Sequence, residues 1–126
     1  MTPAGAPHDV PSAAELVEAV REFLEADVLA ATDGRVRFHT RVAINVLAMV
    51  ERELVAGPAQ AAAHAERLAV LGFADDASLA AAIRRGELDD RWSEVKDAVS
   101  ATVADKLAVA NPSYAVDDVD PPPPPR

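Results

Sequence analysis

The sequence contains no cysteine and few aromatic residues, with three Phe, one Tyr and one Trp among 126 residues. The absence of cysteine excludes disulfides, thiol catalysis and thiolate metal sites, and it suits a reducing compartment. The scarcity of aromatic rings removes the stacking platforms on which single-stranded nucleic acids bind. These absences remove several kinds of functional site that could be recognised from the sequence alone.

Long apolar runs are also missing. No stretch approaches the roughly 20 residues of a membrane span, and no charged segment followed by an apolar one marks a signal peptide. We therefore expect a cytoplasmic protein that does not bind membranes.

Basic residues are outnumbered. Twelve Lys and Arg stand against 21 Asp and Glu, which gives a net charge of −9. Nucleic-acid binding requires clustered cations that neutralise phosphates, so the charge argues against it, and also against anionic membrane surfaces.

Motifs of catalysis and metal binding are absent as well. The three histidines lack metal-ligand spacing, the glycines form no phosphate-binding loop, and no pair of carboxylates stands out as an acid/base site. We expect no catalytic residues, no metal and no cofactor.

What the sequence does contain is alanine and helical periodicity. Hydrophobic residues make up 50% of the chain, and alanine favours helices with closely packed backbones. Helix start signals are seen at Ser12 and at Asp75 or Asp76, and helix stop signals at Gly34, Gly72 and Gly86. We read Gly57-Pro58 as a further boundary between two helices.

These signals predict an all-α, single-domain helical bundle of about five helices, three long and two short. The predicted domain covers residues 12–115. Residues 1–11 are interpreted as a mobile arm, and residues 116–126 as an acidic, polyproline-containing disordered tail. The tail is interpreted as a solubilising segment, with a docking role as the alternative.

The longest apolar helical pattern is FHTRVAINVLAMVEREL, from Phe38 to Leu54. At about 100° per residue, its apolar side chains cover roughly half of the circumference or more, which predicts a buried central helix. One narrow polar arc holds Arg41, Asn45 and Arg52.

A short turn around Gly34 predicts that the first two helices are antiparallel, which places Asp27 opposite Arg41. Since a buried charge needs a partner, we predict a structural ion pair between Asp27 and Arg41. Three residues, His39, Asn45 and Arg52, form a candidate site for a partner protein or an anion. A second candidate interface is the turn that holds Glu87, Asp89, Asp90 and Arg91, which is otherwise explained as a helix start.

The chain resembles a family of small bacterial proteins, domain of unknown function 6285. The matching stretches are PSAAELVEAVREFLEADVL, FHTRVAINVLAMVEREL, AIRRGELDDRW and KLAVANPSY, which together span about residues 8–115. Members of that family usually occur beside an aminoglycoside-phosphotransferase-like kinase and an acyl-CoA dehydrogenase. The resemblance therefore implies a non-catalytic accessory subunit of a kinase that acts on acyl-CoA or hydroxyacyl-CoA substrates.

Two alternatives remain open from the residues. One is a small-molecule binding protein, for acyl-CoA or an anion, or a minor enzyme, with a pocket near Arg41, Asn45 and His39. The other is a structural homodimer, which would expose an apolar patch of several hundred Å² on each isolated chain.

Overall fold

The computed structural model describes residues 7–117. Its first helical segment begins where the sequence predicts, because the Ser12 Oγ accepts a hydrogen bond from the backbone N–H of Glu15 at 3.2 Å. Helix α1 covers Ala13–Phe23, a π-helical turn covers Leu24–Val28, and α2 covers Leu29–Ala31. Gly34 has a φ of +55°, so the predicted left-handed turn residue is confirmed.

Helix α3 is the longest element and runs over Gly34–Leu71, with Pro58 inside it. The boundary predicted at Gly57-Pro58 is therefore wrong, and the predicted second and third helices are one. Proline lacks one N–H and crowds the carbonyl four residues earlier. The helix nevertheless continues on both sides of Pro58.

Four shorter elements complete the described chain. Helix α4 covers Asp76–Arg84, a 3-10 turn covers Asp89–Arg91, α5 covers Trp92–Ala110, and α6 covers Pro112–Asp117. The all-α class is confirmed, since residues 7–117 contain helices and no strand. The short helix α6 was not predicted.

The chain divides into two compact units between Val55 and Ala56. The first unit holds α1, the π-helical turn, α2 and α3 as far as Val55. The second unit holds the rest of α3 together with α4, α5 and α6. The single domain over residues 12–115 stays a prediction, and the predicted arm and tail lie largely outside the described residues.

The buried apolar residues that the structure describes all belong to the second unit. They are Leu68, Leu71, Leu79, Ala82, Leu88 and Val95. Val95 on α5 is 1% exposed, whereas Trp92, Val99 and Val103 on the same helix are exposed. The core of this unit therefore lies where α3, α4 and the start of α5 meet.

The first unit has a different character. Within its described part only Thr40 is buried, while Phe38 is 62% exposed and Val46 is 51% exposed. The prediction of a buried central helix is wrong for the chain by itself. Only the α1–α2 segment covers α3 in this unit, and one neighbouring helix cannot enclose a helix that is apolar on most of its surface.

None of the described helices combines the length and the apolar composition that a membrane span requires.

Candidate functional site

The most prominent surface feature of the first unit is an exposed set of large apolar side chains on α1 and on α3 up to Leu54. We call this set the apolar face. Its members are Leu16, Val20, Phe23, Val36, Phe38, Val42, Val46, Met49, Val50 and Leu54.

The part of the apolar face that lies on α3 forms one continuous stripe. At about 100° per residue, five of its side chains fall within an arc of about 120°. These five are Phe38, Val42, Val46, Met49 and Val50. The ring of His39 packs edge-on against Phe38, with 5.4 Å between ring centroids, and extends the stripe by one polar group.

The extent of the apolar face decides how it is interpreted. Ten large apolar side chains, each about half exposed, present on the order of 800 Å² to solvent. The largest apolar patch of a typical monomer measures about 300–600 Å². A protein–protein interface of standard size buries about 800 Å² per partner. The summed exposed area of these ten side chains is thus of the order that one partner buries in an interface of standard size.

The other side of the α1–α3 pair is fixed by Arg21. Its guanidinium donates to both carboxylate oxygens of Glu51 on α3 and to Glu25 one turn further along its own helical segment. The hydrogen bonds that Arg21 donates to Glu51, and then those that it donates to Glu25, raise the pKa of Arg21 above its ordinary value. The Nη1 of Arg37 also donates to the backbone carbonyl of Leu29, so two arginines hold the hairpin together.

The predicted pair of Asp27 and Arg41 is not among the ion pairs of the described chain. Both side chains are exposed, and an exposed charge needs no internal partner. Asp27 lies in the π-helical turn, whose wider turns shift the side chains that follow. The prediction assumed uniform α-helical spacing, which would have placed Asp27 differently.

The candidate residues on the central helix lie on different surfaces. His39 lines a shallow groove of about 290 Å³ together with Leu24, Val36 and Thr40. Arg41 and Asn45 are exposed and do not line it, and Arg52 is half-buried and engaged in interactions of its own. A ligand or partner role for these residues stays a prediction.

The acidic turn near residue 90 consists of local pairs. Arg85 bonds Glu87 at 2.9 Å, which raises the pKa of Arg85 and lowers the pKa of Glu87. Arg91 pairs with Glu94 at 2.9 Å and also donates to the carbonyl of Leu71 at 3.3 Å. These contacts account for Glu87 and Arg91, while Asp89 and Asp90 are exposed.

A polar network in the second unit was not predicted from the sequence. The ring of His64 lies 3.1 Å from Thr102 Oγ1 and 2.9 Å from Asp76 Oδ1, and thereby joins α3 to α5 and α4. Arg67 Nη2 donates to Asp105 Oδ2 at 2.9 Å. The partners are 12 residues apart for His64 and Asp76 and 38 residues apart for the other two pairs, so helical spacing within one element could not reveal them.

Residues 7–117 contain no group of three or more His, Asp or Glu side chains arranged to hold a metal ion. Exposed apolar side chains are the main feature of the described surface of the first unit.

Comparison with known proteins gives one match. A family model described as a domain of unknown function, DUF6285, matches residues 30–114. No curated protein and no solved structure matches the chain.

Proposed function

Because the chain belongs to the domain of unknown function 6285 family, we propose that it is a non-catalytic accessory subunit that binds an aminoglycoside-phosphotransferase-like kinase. The kinase acts on acyl-CoA or hydroxyacyl-CoA substrates, as the family resemblance implies. The observation that carries the binding role is the apolar face, whose exposed side chains need a protein surface to cover them.

Two further properties of the chain support a protein partner. An interface of standard size has an apolar centre of aromatic and aliphatic side chains, and the apolar face offers Phe23, Phe38 and Met49 for that centre. The net charge of −9 favours a partner with a basic surface and accelerates their encounter.

The cellular compartment of the proposed complex is inferred from that of the kinase. The kinase consumes a nucleotide of the cytoplasm, and a protein without cysteine suits that reducing compartment. The proposal therefore places the complex in the cytoplasm.

The test is co-purification of the kinase with the wild-type chain and with two variants. Val46→Asp introduces a charge into the apolar face, and we expect the kinase to be lost from the purified complex. Val70→Asp is the matched control, because Val70 is 74% exposed and lies on the second half of α3. This control should retain the kinase.

Two outcomes would contradict the proposal. Either the wild-type chain fails to retain the kinase at low salt, or the two variants retain it equally well.

The second candidate function is a structural homodimer, and the same apolar face favours it, because two copies would cover each other's exposed side chains. Light scattering after gel filtration separates the candidates. A monomer that gains mass only with the kinase supports the accessory role. A doubled mass that Val46→Asp returns to that of one chain supports the homodimer.

A further inference from the structure

The second unit contains a groove that the accessory role does not use. The groove has a volume of about 270 Å³ and lies between the second half of α3, α4 and α5. Its apolar lining includes Leu68, Leu71, Leu79, Val99 and Val103. The three leucines are buried, whereas the two valines are exposed at the side of the groove.

Three basic side chains also line the groove, and they differ in how many hydrogen-bond or ion-pair partners they have. His64 is held between Thr102 and Asp76. Arg67 pairs with Asp105 through Nη2, but its buried Nε–H has no hydrogen-bond partner. Lys106 forms no ion pair with any side chain in the described part of the chain.

The carboxylates near the groove are already engaged. Asp76 is the acidic residue of the lining, and its Oδ1 lies 2.9 Å from His64 Nε2. Asp105 is bound to Arg67 at 2.9 Å. The cation without an ion-pair partner, Lys106 Nζ, therefore favours an anionic acceptor.

We propose that this groove binds a linear alkyl carboxylate, with its chain on the leucines and its carboxylate beside Lys106 and Arg67. The volume limits the chain length. An apolar cavity of about 150 Å³ holds the six carbons of benzene, so a groove of about 270 Å³ holds roughly ten carbons. The ligand has an apolar body, which matches the leucines of the groove, and one anionic end, which matches its basic side chains.

The probe is decanoate, titrated below its micelle concentration into the full chain and followed by calorimetry. We expect saturable binding of one decanoate per chain. Shifts of the Val99 and Val103 methyl resonances in the wild-type protein would locate the ligand in the groove without any substitution.

Two variants test the two halves of the ligand. Lys106→Gln removes the free cation and should weaken binding about tenfold, the amount that one charge-assisted hydrogen bond contributes. Val99→Phe fills the side of the groove and should weaken binding at least as much. Lys96→Gln is the control, because Lys96 is an exposed lysine of α5 outside the groove lining. Circular dichroism verifies that each variant is folded.

Decanol serves as the uncharged comparison and should bind at least about tenfold more weakly than decanoate. The proposal is overturned if decanoate shows no saturable binding. It is also overturned if decanol binds equally well, or if the methyl shifts fall on the apolar face of the first unit instead. None of these results depends on a kinase partner.

Discussion

Arg21 is the residue that connects α1 to α3 most directly. Its side chain is 22% exposed and that of Glu51 is 17% exposed, whereas the pair of Arg85 and Glu87 is more than half exposed on both sides. Ion pairs in full contact with water contribute little to stability, and shielding from water strengthens them.

We predict that Arg21→Met lowers the melting temperature more than Arg85→Met does. The first substitution leaves Glu51 partly buried without its cation, and the second removes a solvated pair. Thermal unfolding of the two variants measures the difference. Equal melting temperatures would show that Arg21 does not stabilise the hairpin.

Asp75 is the residue with the clearest expected dependence on pH. The backbone N–H of Ser78 donates to its Oδ1 at 2.7 Å, and this bond lowers the pKa of Asp75 below its ordinary value. A lowered pKa stabilises the folded state above the pKa of the unfolded chain, about 4. That contribution is lost as the pH falls through the lower pKa of the folded state.

We predict that wild type melts at a higher temperature than Asp75→Asn at pH 7, and that this advantage begins to decline below about pH 4 and disappears once the pH has fallen through the lower pKa of the folded state. Asparagine keeps the shape of the helix cap but cannot ionise, so the comparison isolates the charge. Melting curves between pH 7 and pH 2.5 measure it. An advantage that grows on acidification would contradict the assignment.

The sequence predicted the local features of single residues well. The cap at Ser12 and the left-handed glycines at 34, 72 and 86 depend on neighbours within a few residues, and so does the cap at Asp75, which was one of two candidates beside Asp76. The pairing of Asp27 with Arg41 depended on helical phase across a turn, and the π-helical segment changed that phase. Sequence patterns do not reveal where a helix widens by one residue per turn.

At the scale of elements, α3 departs most from expectation. A Gly-Pro pair resembles the end of one helix followed by the start of the next, so local signals alone favoured two helices. The structure forms one helix of 38 residues, although Pro58 cannot donate the backbone hydrogen bond of a helix interior. The two units meet in the chain beside this pair, between Val55 and Ala56.

Because Gly57 lies inside α3, it should lower the free energy of unfolding by a known amount. Glycine inside a helix is less stable than alanine by roughly 0.5–1 kcal/mol. We predict that Gly57→Ala raises the free energy of unfolding by about that amount, as measured by urea titration. A decrease would mean that the backbone at position 57 needs glycine, as a break between two helices would.

The apolar periodicity of residues 38–54 predicted a helix correctly and its burial incorrectly. A sequence pattern indicates which side chains avoid water, and it does not say which molecule covers them. In the first unit the covering elements are too few, so the apolar face is exposed. The same pattern that suggested a core is therefore the evidence for an interface.

At the scale of the whole molecule, the two units differ in how much of their apolar surface is buried. The second unit has a small apolar core and a polar network around His64 and Arg67. The first unit has little buried area and a large apolar face. Under the proposed function, the partner covers the apolar face of the first unit.

The central claim is that another protein covers the apolar face. Hydroxyl-radical footprinting tests it, because it reports the solvent exposure of individual side chains. Phe38 and Met49 report on the apolar face, and Trp92, which is exposed in the second unit, is the internal control.

The chain is labelled alone and with the kinase, at a concentration where the chain alone is monomeric. We predict strong labelling of Phe38, Met49 and Trp92 in the chain alone. On addition of the kinase, labelling of Phe38 and Met49 should fall several-fold while Trp92 stays labelled. Unchanged labelling of Phe38 and Met49 in the presence of bound kinase would contradict the account.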